Sequence, residues 1–152
     1  MKLAFNCIED LLTHIERITA DNHHTLGKWT AAQNFFHLAA AFEGSLEGLP
    51  AGYPVLVRYL ARGFRWIVIS YRFPPWFPIP SAIRYSLEPP DSCDFSAQKQ
   101  RLAHAIEKFQ HYTDSHPPHP VLGQLTHDQW IGFHLRHCEH HLSFIAIGHR
   151  PA

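Results

Sequence analysis

The chain is short of charge. Only 17% of its 152 residues are Asp, Glu, Lys or Arg, while 45% are hydrophobic. A disordered chain needs the opposite balance, so a globular fold with a real core is expected. Neither sign of charge is in excess, with 13 basic and 13 acidic residues. That parity offers nothing for nucleic acid to bind. Arg58, Arg62, Arg65 and Arg72 cluster locally, but they alternate with aromatics and read as the wet side of a helix. Cysteine is scarce: Cys7, Cys93 and Cys138 are an odd, widely spaced set without a CxxC pair. This excludes a zinc ribbon and a disulfide framework and fits a reducing compartment. No long apolar run is present either. The most apolar stretch, 55–77, carries four arginines and two prolines and is no membrane span. Near the N-terminus Glu9 and Asp10 interrupt the apolar residues, so no signal peptide is expected. A glycine-rich phosphate loop and a nucleophile-elbow serine are also missing. These absences describe a soluble, cytoplasmic protein with no membrane and no nucleic-acid partner.

Histidine is what the chain has in abundance, with 14 residues. Their placement depends on the helices. Asn6 followed by Glu9 reads as a capping box, and Ile8, Leu11, Leu12, Ile15 and Ile18 repeat at helical spacing. They predict a helix over 7–20. Thr30 and Gln33 form a second capping box before a helix over 31–47, with Phe35, Leu38, Phe42 and Leu46 as its apolar stripe. Residues 53–72 fit a helix or a strand near Ile67–Ile69; the arginine spacing favours the helix. Six prolines between 73 and 90 forbid a regular helix and predict a long crossover loop, packed down by Trp76, Phe77 and Ile79. Asp94 or Ser96 caps a helix to about Tyr112. Thr126 and Gln129 make the third box, for a helix over 127–147 stopped by Gly148. The expected architecture is all-α: one domain over 1–152, a four-helix bundle with a proline-rich crossover, and no sheet outside the ambiguous run.

The last helix reads FHLRHCEHHLSFI. Successive residues advance about 100°, so His137 and His141 stand one above the other on one face. That spacing lets two imidazoles share one ion. His134 falls on the same face, as a direct ligand, a hydrogen-bond partner behind the ligands or a core histidine. His140 lies off the line. A four-residue histidine pair is a common surface accident in a chain this rich in histidine, and two ligands do not make a site. A third must come from a facing helix. His37 is the candidate: it is the sole histidine in the second helix, it borders the apolar stripe, and alanines leave room beside it. HCEHH is not the HExxH peptidase motif, because Glu139 is turned about 200° from His137 and faces away. Cys138 is read as packing. His14, His23, His24, His104, His111, His116, His119, His127 and His149 are read as surface residues.

Three stretches, KWTAAQNFFHLAAAFEG (28–44), HPVLGQLTHDQW (119–130) and FHLRHCEHHLSF (133–144), resemble the DinB/YfiT-like superfamily of metalloenzymes, in a branch of unassigned function. The resemblance spans essentially the whole chain. It implies a DinB-like four-helix bundle with one three-histidine centre for a divalent metal, often nickel or zinc. By position the ligands are His37, His137 and His141. It also implies a homodimer. The family commonly places Arg-Gly after its final ligand, whereas Leu142 and Ser143 follow His141 here. The function implied is a metal-dependent hydrolase or thiol-dependent transferase, with a small-molecule substrate or thiol as partner and His134 as a proton-handling residue. A non-catalytic module binding a metal or small ligand is the alternative, and a bundle without metal the third reading.

Overall fold

The computed structural model describes residues 3–50, 62–63, 66–67 and 87–148. They form four helices and a small two-stranded sheet: α1 (Ile8–Glu16), β1 (His23–Thr25), α2 (Ala31–Glu47), α3 (Phe95–Gln110), α4 (His127–Leu142) and β2 (Ile145–Ile147). The expected helix over 53–72 falls outside the described residues except at 62–63 and 66–67, which are helical. Of the proline-rich segment 73–90, only 87–90 are described.

The second and third capping boxes form as the sequence predicts. Thr30 accepts from the Gln33 amide while Gln33 reaches back to Thr30, and Thr126 and Gln129 do the same for α4. Each box satisfies two amides that the first turn cannot pair internally. Asp94 caps α3 by accepting from the Ala97 amide at 2.7 Å. The first helix differs from expectation. Its N-cap is Cys7, without a side-chain cap, and the Asn6 amide instead donates to Asp10. It also ends at Glu16, four residues early, because the Asn22 side chain takes over the backbone groups of Arg17 and Thr19 at 2.8 Å each. Such a local side-chain bond competes directly with the helical ladder.

α2 is the central element. Phe35, Leu38 and Phe42 are fully buried, and the run Ala39–Ala41 is buried too, small enough for neighbours to approach closely. α3 packs along it with Leu102, Ile106 and Phe109, and Leu11, Ile15, Trp130 and Leu142 join the same core. Burying side chains of this size is worth about 1.5–3 kcal/mol each relative to exposure. Glu139 anchors the N-terminal segment to α4. It faces away from His137, as the helical wheel predicts, accepts from the Phe5 amide at 2.7 Å and pairs with Arg136 at 2.8 Å.

The sheet is the main departure from an all-α reading. β1 and β2 run antiparallel with His23 opposite Ile147, His24 opposite Ala146 and Thr25 opposite Ile145. α4 therefore stops at Leu142, where Ser143 closes it, and Gly148 ends the strand instead of the helix. Ile145 and Ile147 are β-branched and favour the extended chain once a partner strand is present. The pairing continues through the Leu26 amide, which donates to the Phe144 carbonyl at 2.8 Å. It fastens the 23–29 segment to the end of α4. Among the described residues no helix is long and apolar enough to cross a membrane.

Candidate metal centre

α2 and α4 bring three imidazoles together. His37 comes from the middle of α2, and His137 and His141 lie one turn apart on α4. One ring nitrogen from each lies within 4.8 Å of the others, and no fourth Cys, His, Asp or Glu of the described residues joins the group. The Nε2 atoms of His37 and His137 are 3.1 Å apart. Two such nitrogens meet only across a proton or a shared cation. Adjacent ligands at the usual ~2.0–2.1 Å bond length sit about 3–3.4 Å apart, so this gap already has the dimensions of one ion's shell.

Two of the three ligand rings are fixed at their outer nitrogens. His37 Nδ1–H donates to the Leu87 carbonyl at 2.8 Å, which leaves the Nε2 lone pair facing inward. His141 Nδ1–H donates to Asn34 Oδ1 at 3.2 Å. The Asn34 amide cannot turn over freely, because its NH2 group donates to the Thr30 carbonyl at 2.9 Å. Such outer contacts set the tautomer and ring orientation of a metal-binding histidine. Replacing Asn34 by leucine, similar in size but unable to accept, is expected to weaken zinc binding about 10–100-fold. Asn34→Asp keeps the acceptor and should retain affinity. Competition titration against a chelating dye measures both; equal affinity in Asn34→Leu would remove Asn34 from the site.

Electrostatics favour the ligand form. Burial pushes His37 down to about 4, against a smaller opposing pull from the Leu87 hydrogen bond. His137 and His141 are held well below the usual imidazole range by burial, then by the neighbouring His37. Neutral imidazole is the state that binds a cation. Burial pushes the Cys138 thiol far up, so it stays protonated and inert, as packing requires.

His134 is fully buried but is not one of the three. Its ring stacks on Phe42 at 3.9 Å and meets Phe109 edge-on at 4.9 Å and Trp130 at 5.4 Å. Three histidines expected at the surface are buried as well. His14 tilts against Phe5 at 5.4 Å. His116 bonds to the Ser45 carbonyl and to His127. His119 Nδ1 accepts from the Val121 and Leu122 amides at 3.1 and 3.0 Å, closing the 119–123 turn. His116 and His119 lie in a loop without periodicity, so the sequence gives no sign of their burial, whereas His14 stands three residues after Leu11 on the buried face of α1, a spacing that could have flagged it.

Two contributors escaped the sequence reading. Asn34 stands three residues before His37, a same-face spacing that could have flagged it. Trp29 stacks on His141 at 5.7 Å and tilts against His37 at 5.2 Å. Beside them opens a pocket of about 360 Å³ lined by Gly27, Lys28, Trp29, Asn34, His141 and Phe144. The pocket touches the centre at His141.

No curated protein and no solved structure matches the chain. A family model does, over residues 1–147, which contain the whole histidine trio: the chain belongs to the family described as "Protein of unknown function (DUF1569)".

Proposed function

We propose that this protein is a metal-dependent enzyme of the DinB/YfiT-like kind, in which His37, His137 and His141 hold one divalent ion, zinc or nickel, for hydrolysis or thiol-dependent transfer. The observation that carries the reading is a three-ligand group next to an open pocket. A structural zinc site is closed by four protein ligands, whereas a catalytic one keeps a position free. An ion held there supplies a Lewis acid that lowers the pKa of a water or thiol.

The chain's own residues supply the rest. The Leu87 carbonyl and Asn34 hold two ligand rings in the tautomer that points Nε2 inward. Trp29 covers two of the ligand rings and limits water from that side. His134, one turn before His137, is kept neutral by burial, and its ring nitrogens have no hydrogen-bond partner among the described residues. A ring that resists protonation and has no polar partner supports the centre by packing behind the ligands, with its plane fixed by its stacking on Phe42 and Trp130.

Cobalt(II) reconstitution tests the open position. The visible spectrum of the cobalt-loaded protein is expected to gain a thiolate charge-transfer band on adding 2-mercaptoethanol and to change with pH. A spectrum indifferent to thiol and pH marks a closed structural ion and overturns the enzymatic reading.

A further inference from the structure

The pocket beside the trio has a composition of its own. Its wall is almost wholly apolar, with Trp29 and Phe144 as the large surfaces and Gly27 leaving one side low. A Cβ at Gly27 would make ordinary contact with the Phe144 ring at 3.5 Å, so the Gly27 backbone lies close beside that ring. The polar groups at its inner end are already engaged. Asn34 uses both ends of its amide, on His141 and Thr30, and His141 Nδ1 is taken by Asn34. The one cationic side chain of the lining is Lys28, exposed and without an ion pair among the described residues. Its position is set by the sheet, since Leu26 is bonded to Phe144 and Trp29 stacks on His141.

A pocket with one unpaired ammonium and two aromatic walls selects by charge and shape together. We propose that it is the substrate's seat and takes a small monoanion with a flat apolar body. The body lies against Trp29 and Phe144, the anionic group meets Lys28, and the reacting end points toward His141. This deepens the enzymatic reading and rests on it. Aromatic and apolar contact fixes the orientation, and the ammonium distinguishes an acid from its neutral amide.

Fluorine NMR titration with 4-fluorobenzoate and 4-fluorobenzamide, on the zinc-loaded and the metal-free chain, separates the two ideas. The benzoate is expected to bind the metal-free chain about three- to five-fold more tightly than the benzamide, the size an exposed ion pair supplies. Lys28→Met should abolish that preference and Lys28→Glu reverse it, and 0.5 M salt should reduce it in the wild type. Lys28 is exposed and lies outside the core, so both variants should fold, with circular dichroism as the check. Equal binding of acid and amide by the wild type, or a preference unchanged in both Lys28 variants, overturns the proposal. Metal content measured on the same samples keeps the outcomes apart. A chain that holds its ion but shows no preference loses this inference alone. A Lys28-dependent preference in a chain that takes up no metal supports the pocket and ends the enzymatic reading.

Discussion

Purified in the presence of zinc or nickel, the wild-type chain is expected to carry about one ion per polypeptide, and His137→Ala or His141→Ala to carry almost none. Each ligand in a three-histidine group supplies a third of the protein's bonds to the ion, with no fourth residue of the described set to take its place. Losing a group that only orients a ligand already lowers affinity about 10–100-fold, so losing a ligand should exceed 100-fold. His37→Ala should behave the same way, although it lies on another helix. His104→Ala and His111→Ala change exposed histidines and should leave the content untouched. Elemental analysis after dialysis gives the answer, with circular dichroism to confirm folding. Unchanged metal in both α4 variants would end the proposal of a three-histidine centre.

Acid should unfold the metal-free protein at a mild pH. His119 is pushed down to about 4 by burial, and His134 lies well below the usual imidazole range for the same reason. An unfolded chain binds a proton on histidine near pH 6.5. Between about pH 6.5 and 4 the unfolded state therefore takes up protons that folded His119 refuses. Stability falls as pH falls through that window, levels off for this group below about 4, and is insensitive to it above about 6.5. His119 alone accounts for about 3 kcal/mol at the bottom of the window, and His134 adds in the same direction. Against a total of roughly 5–15 kcal/mol for a domain, this is a large share. Urea unfolding midpoints at pH 7.5, 6 and 5 measure it. His119→Asn offers the Val121 and Leu122 amides an acceptor that does not titrate, so its midpoint should fall less steeply. An identical pH slope in that variant would show that His119 is not one of the groups responsible.

The two well-capped helices of the site were legible because their signals are local. A Thr-x-x-Gln box depends only on residues within one turn, and both of these form, whereas the box expected at Asn6 and Glu9 does not. The four-residue spacing of His137 and His141 is likewise fixed by helical geometry alone. The C-terminal end of α4 was not legible. Gly148 looked like its stop, yet the chain turns at Ser143 because Ile145–Ile147 finds a partner in His23–Thr25. Three-residue strands carry too few residues to show a period of two, and their stability comes from a pairing partner that is distant in sequence. The same holds for α1, which Asn22 shortens by four residues through bonds that helix propensity does not register.

By itself the sequence determined the helical character of the chain, the starts of α2, α3 and α4, and the face on which two of the three imidazoles stand, because hydrogen-bonded turns and side-chain angles are set by near neighbours. Tertiary structure brought His37, the third histidine the sequence had singled out, to the other two, and decided that Leu87 and Asn34 fix two of the ring tautomers, that Trp29 lies over the ligands, and that His119 and His134 are held neutral inside. Each of those depends on how segments far apart in sequence pack together, and burial, which moves the protons, exists only after they have packed.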